Sequence, residues 1–310
     1  MTDKNQSLND VAIIQSDGDY RYRDKNNKLR QLFFEFSGLI PFFIFAALFI
    51  GAPTLVVILN AFKTNEGSFT FSNVLLAFTD VYYLSLISSL KLGLTSALTG
   101  VFFGFMISYA VLVSGMKKLQ KIVSTASGVF ANTGGVPLAF FFIAAIGNYG
   151  LVTLALQKIG IDIYSGSFTL FGFSGLVLVY LYFQIPLMII VVYPALEGIK
   201  NEWREAAANL GATKFSYWRY VGIPILTPPV LGSFFLLFAS AFAAYATANV
   251  LTQGTIPLLP LQVGTLVSGD VVADQSNVGY AMGFEMIVIV ALAMTLYTYL
   301  DKRATRWRKK

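Results

Sequence analysis

Polar residues in this chain gather into a few short stretches, separated by long apolar blocks. The first 36 residues are polar and mixed in charge. Six apolar runs then follow, at about 38–62, 84–113, 122–147, 170–194, 229–250 and 278–300. A bilayer core about 30 Å thick is crossed by about 20 apolar residues in a helix. The pattern therefore predicts an all-α polytopic membrane protein with six transmembrane helices. The first run lies too far into the chain, behind a charged tail, to be the apolar core of a cleaved signal peptide. Pro41, Pro53, Pro137 and Pro186 fall within or near the runs. Gly134-Gly135 with Pro137 points to a broken third span whose freed backbone groups face a cavity. Small residues through Ala239–Ala248 allow close packing of the fifth. The expected organisation is a cytoplasmic tail over 1–36, with a short interfacial helix near Leu29–Phe36. A transmembrane domain over 37–300 follows, with a polar loop at 195–228, and then a basic C-terminus at 301–310.

Composition agrees with this class. Of 310 residues, 56% are hydrophobic and 12% charged, against roughly 25% charged in a soluble domain. The net charge of +6 does not point to nucleic acid, because the basic residues sit at the ends of apolar runs. Nineteen of the 22 Lys and Arg fall in the N-terminal tail, in the links after the second and fourth runs, and at the C-terminus. The opposite loops hold only Lys63 and Lys158, and Lys91 lies near a helix end. The positive-inside rule then places both termini, and the loop after the fourth span, in the cytoplasm. Cys and His are both absent. That excludes disulfides, thiolate chemistry, His-based acid–base catalysis and the commonest zinc ligands. No Lys follows a Gly, so there is no P-loop, and no catalytic residue or metal site is expected.

The loop after the fourth span carries the most informative motif. It reads Glu205-Ala206-Ala207-Ala208-Asn209-Leu210-Gly211, followed after nine residues by Val221-Gly222-Ile223-Pro224. On a helix Ala206, Ala207 and Leu210 share a face, where small side chains admit a partner and Leu210 anchors it. Glu202 and Glu205 are expected in the first turn, where acidic groups suit the helix dipole. Gly211 suits the left-handed position that closes a helix. A second helical stretch near Thr213–Tyr220 is expected to turn away. Pro224 and Pro228-Pro229 are expected to punctuate the start of the fifth span.

This motif closely resembles the EAA loop of binding-protein-dependent ABC importer permeases of the type I, MetI-like fold. Val221 and Ile223 replace the usual Ile and Leu. The resemblance implies that the loop is a coupling helix seated in a partner ATPase, with Glu205, Ala206, Ala207, Leu210 and Gly211 as the ATPase-coupling residues. It implies two ATP-binding cassette subunits that bind the ATP and Mg, with no cofactor in this chain. It further implies a second permease, homologous or identical, an extracytoplasmic solute-binding protein, and a place in the bacterial cytoplasmic membrane. Segments such as Tyr182-Phe183-Gln184-Ile185-Pro186 resemble the branch that handles spermidine and putrescine, ferric iron or phosphonate.

Polar side chains inside spans are costly in lipid and mark transport paths. On that ground the translocation-path candidates are Glu285, Lys91, Asn132, Gln184, Tyr245 and Asn249. Glu285 and Lys91 are expected at similar depth, approaching each other or facing one aqueous path. Asp270 and Asp274, in a loop without Lys or Arg, suggest an acidic entrance that draws a cation, polyamine first. The alternatives are a phosphonate, ferric iron or other small-solute importer permease and, behind these, an ion-coupled secondary transporter centred on Glu285.

Overall fold

Backbone N–H and C=O groups in lipid find no water, so a spanning segment must satisfy them internally, as a helix does. The computed structural model describes residues 38–268 and 275–305. The expected tail 1–36, Asp270, Asp274 and the final basic residues from Arg306 onward lie outside these. Among the described residues the elements are helical, with one isolated antiparallel bridge between Lys63 and Phe69. The chain divides into two units, Met1–Leu59 and Asn60–Lys310. The first is described by helix α1 (Ile40–Ala61, whose last two residues belong to the second unit). Its turn over Ala47–Gly51 widens to i→i+5 bonding just before Pro53. A proline supplies no N–H and crowds the preceding turn, which favours such a widening.

The second unit contains α2 (Ser72–Ala77), α3 (Asp80–Val113), α4 (Lys117–Ala131), α5 (Gly135–Ile146), α6 (Leu151–Lys158) and α7 (Phe173–Glu197). It continues with α8 (Asn201–Asn209), α9 (Lys214–Phe242), α10 (Ala246–Thr252), α11 (Leu259–Ser268) and α12 (Ser276–Ala304). Six described stretches are long and apolar enough to cross a membrane: α1, α3, Gly135–Lys158 (α5 with α6), α7, α9 and α12. Helix α3, with 34 residues, is about 51 Å long at 1.5 Å per residue, so it tilts in the bilayer or projects from it.

Helix α3 is the centre of this unit and packs against both α7 and α9. Its buried face repeats a small residue about every fourth position: Ser85, Ser89, Gly93, Ala97, Gly100, Gly104 and Ser108. Such a seam lets helices approach backbone to backbone, where dispersion and hydrogen bonding replace the missing hydrophobic drive. A Cβ at Gly104 would lie 2.6 Å from Met188 Cβ of α7, and one at Gly93 would lie 3.1 Å from the Phe238 ring of α9. The seam also carries polar ties. Gln184 Nε2 of α7 donates to Ser96 Oγ (3.3 Å) and to the Leu237 carbonyl (3.4 Å), and Leu259 N of α11 donates to Ser89 Oγ (2.7 Å).

Two expected spans differ from the observed ones. Where a single third span was expected over 122–147, the chain forms α4 and α5, separated at Asn132–Gly134, and the apolar span runs from Gly135 through α6 to Lys158. Helices α4 and α5 both lie along α7. Leu119 and Val123 of α4 meet Ile189 and Tyr193, while Leu138 and Ala139 of α5 join Leu176, Val179 and Tyr180. The fifth, expected from 229, begins at Lys214 instead. The stretch near Thr213–Tyr220 does not turn away; it runs into the span through a widened turn at Trp218–Gly222, just before Pro224. Pro228 and Pro229 then lie inside the helix. The same span ends early, at Phe242, and α10 resumes after Tyr245.

Because the seam depends on missing side chains, Gly104→Ala should overpack it at a cost of about 1–3 kcal/mol. Gly128→Ala, where an added Cβ meets nothing within 4 Å, should be neutral. Thermal unfolding of the two variants in one detergent checks this, and equal midpoints would show that the seam does not hold the fold.

A projecting loop helix and two interrupted spans

The loop between α7 and α9 folds as its residue types dictate. Helix α8 begins after an extended Lys200 and ends at Leu210. Gly211 follows with φ of +79°. Its N–H bonds the Ala208 carbonyl (2.9 Å) and that of Ala212 bonds the Ala207 carbonyl (3.0 Å). These two bonds make a Schellman close, which accepts Gly without strain. Glu202 lies in the first turn, whereas Glu205 falls one turn later than expected. Thr213 then caps the start of α9, its Oγ1 accepting from Ser216 N (3.2 Å). No residue of α8 is buried. Glu205 and Ala206 are exposed, Ala207 is half-buried, and Leu210 is 88% exposed. Phe215 and Tyr220, near the start of α9, are both 73% exposed.

The second feature is the meeting of two breaks. Gly135, at φ of +74°, opens α5 next to Ala246, which opens α10, with 3.9 Å from a Cβ built on the glycine to Ala246 Cβ. Thr247 Oγ1 donates across the contact to the Gly135 carbonyl (3.1 Å). Freed carbonyls find partners locally. Asn132 Nδ2 donates to Gly128 O (2.8 Å), Thr133 Oγ1 to Val129 O (2.9 Å), and Tyr180 hydroxyl of α7 to Ala244 O (3.3 Å). Asn132, Tyr245 and Asn249 remain exposed, and the last two stand one turn apart on the same side of α10. The Tyr245 ring packs against Gly264 of α11.

The other candidates lie apart from these breaks. Gln184 is fully buried in the α3–α7–α9 contact. Lys91 is on an exposed face of α3. Glu285 is 8% exposed on α12, and neither carboxylate oxygen has a hydrogen-bond partner. The expected approach of Lys91 to Glu285 is therefore not found: the lysine occupies the face of α3 away from its packing seam. Sequence reasoning passed over Tyr180, because one tyrosine in an apolar run carries no sign that it bonds a carbonyl 64 residues away.

The family model described as "Binding-protein-dependent transport system inner membrane component" matches residues 100–306. A spermidine/putrescine transport system permease protein PotC homolog of Mycoplasma pneumoniae is 21% identical over 282 residues, covering 84% of this chain and 90% of that protein. The thiamine transport system permease protein ThiP of Escherichia coli is 30% identical over 118 residues. That match covers 37% of this chain, which spans only 21% of the length of ThiP. Among solved structures, a chain of a bacterial ABC transporter involved in import of the acidic polysaccharide alginate superposes with a TM-score of 0.69 at 17% identity, covering 90% of this chain and 99% of that one. A chain of the MetNI methionine ABC transporter gives 0.51 at 18% identity, covering 74% and 100%.

Since the chain has no cysteine, single Cys substitutions report accessibility without background. A membrane-impermeant maleimide should label Tyr245→Cys and Asn249→Cys if that face of α10 meets water, and should leave Gln184→Cys unlabelled. Equal labelling at 184 and 249 would contradict the described packing.

Proposed function

This chain belongs to the family of binding-protein-dependent transport system inner membrane components, and on that premise we propose how it works as the multi-pass permease subunit of an ABC importer. The observation that carries the mechanism is α8. It is a short, rigidly closed helix with no buried residue, held between two spans and presenting Leu210 almost fully to solvent. In our reading both termini and this loop are cytoplasmic, in a bacterial inner membrane. Helix α8 seats in a cleft of a partner ATPase, with Ala206, Ala207 and Leu210 as the contact face and Glu205 beside it. Gly211 fixes the angle at which the helix leaves the membrane.

Helix α8 continues through the capped turn at Thr213 into α9 without a flexible linker. A displacement of α8 by ATP-driven closure of two such ATPases therefore moves α9 as a rod, and with it the interrupted contact between α5 and α10. That contact is a suitable place to open and shut a path. One side-chain hydrogen bond, from Thr247, crosses it, worth about 0.5–1.5 kcal/mol, beside apolar packing of Leu138 and Ala139 in one cluster with Ala248 and Leu251. Tyr245, Asn249 and Asn132 are then the polar groups nearest the path. The complete assembly contains a second permease of the same six-span type and an extracytoplasmic solute-binding protein.

For the solute we propose a small organic cation, polyamine first. Relatives are named for spermidine, putrescine and thiamine, all cationic under neutral conditions. Glu285 is the one acidic side chain in the interior of a described span. A relative named for sulfate transport marks the anionic alternative. An ion-coupled carrier is distinguished by transport that follows an ion gradient instead of ATP.

Leu210→Ala should weaken association with the ATPase about tenfold or more, since burying a leucine contributes about 1.5–3 kcal/mol. Uptake should fall in parallel while the permease stays folded. Co-purification and vesicle uptake of spermidine beside sulfate check both parts, and undiminished ATPase association in the variant would remove the docking role from α8.

A further inference from the structure

Two cavities adjoin where α3, α7, α8 and α9 converge at the Lys-rich end of the helices. The first, of about 520 Å³, is an apolar groove between α3 and α9 whose walls include Phe105, Ile223, Leu226 and Val230. The second, of about 410 Å³, is lined by Leu196, Lys200, Arg204 and Tyr217, with Glu197 at its side. Tyr109 and Trp218 line both, and their rings meet edge to face at 6.0 Å. The cavities therefore share one aromatic wall, apolar on one side and cationic on the other.

We propose that this pair of cavities binds one anionic phospholipid, with an acyl chain in the groove and the headgroup phosphate between Lys200 and Arg204. Three observations support it. Tyr217 is only 6% exposed, and its hydroxyl has no hydrogen-bond partner. A buried donor left unmet is costly, and Tyr217 stands in the wall of the same cavity as the two cations. Lys200 and Arg204 outnumber Glu197 there, and a guanidinium grips phosphate in charge-assisted bonds. The shared wall is a Tyr–Trp pair, the side chains that settle where hydrocarbon meets headgroups. Basic pockets between membrane helices take anionic headgroups in the same way. A free phosphate would meet the cations and Tyr217 but leave the groove unexplained. Since Lys200 precedes α8 and Arg204 belongs to it, an occupied site ties the base of that helix to the membrane surface. This goes beyond the transport reading and does not require it.

The test is native mass spectrometry of the permease, purified with its partners from vesicles of equal phosphatidylglycerol and phosphatidylcholine. The wild type is compared with Lys200→Gln/Arg204→Gln and with Thr227→Trp, which fills the groove from α9. Circular dichroism and subunit composition confirm the fold of each. The wild type should retain one phosphatidylglycerol. The double variant should lose its preference for that lipid by a factor on the order of ten, and Thr227→Trp should lose the retained lipid altogether. Undiminished preference in the double variant overturns the proposal. So does an inorganic phosphate adduct that survives Thr227→Trp while no lipid is retained, which would mark a free-phosphate site. Loss of the second permease in Thr227→Trp, with no lipid on the wild type, would assign the groove to subunit contact instead.

Discussion

Close approach along one face of α3 is the constraint on which the second unit depends. Lipid tails are as apolar as leucine, so burying apolar side chains does not by itself draw helices together in a membrane. Association then relies on packing density and on a few polar ties. The small residues from Ser85 to Ser108 provide both. Gly93 and Gly104 bring the Phe238 and Met188 side chains close to the α3 backbone, while Ser89 and Ser96 hold α11 and α7 by hydrogen bonds. Gln184 occupies the space above Gly100, where a Cβ would lie 2.9 Å from its Oε1. Its place in the scaffold follows from that absence of a side chain.

Around this centre the helix breaks carry ties of their own. The breaks at Asn132–Gly134 and Ala243–Tyr245 free carbonyls at helix ends, and in apolar surroundings protein or water must replace the lost bonds. Asn132 and Thr133 fold back on α4, while Tyr180 and Thr247 bond across helices. These bonds leave the two helix starts in contact without fusing them. Glu285 differs. Its carboxylate lies buried without a hydrogen-bond partner, a costly arrangement in apolar surroundings.

The loop joins the two halves of the mechanism. Its Schellman close and the Thr213 cap make α8 and α9 a stiff pair with one defined corner. The corner also lies near the groove and the cationic cavity, both of which Trp218 lines.

Six spans and the exposed loop helix were legible in the sequence because they are properties of the chain taken in order. Bilayer thickness sets the length of an apolar run, and the loop is defined by spacing, down to the left-handed Gly211. The exact spans were less legible. Prolines at 224, 228 and 229 read as punctuation, yet a widened turn at Trp218–Gly222 and a Thr227 hydroxyl bonding the Ile223 carbonyl (2.7 Å) accompany them within a continuous helix. The break before Ala246 was invisible, since Ala-Ala-Tyr-Ala favours helix locally, and the interruption is held by Tyr180 of α7 and by the bond from Thr247 to Gly135 of α5. Which polar residues face one another is a property of distance in space. Linear order set the number of spans and the place of the loop. Only tertiary packing buried Gln184, parted Lys91 from Glu285, and left Tyr217 beside two cations with its hydroxyl unmet.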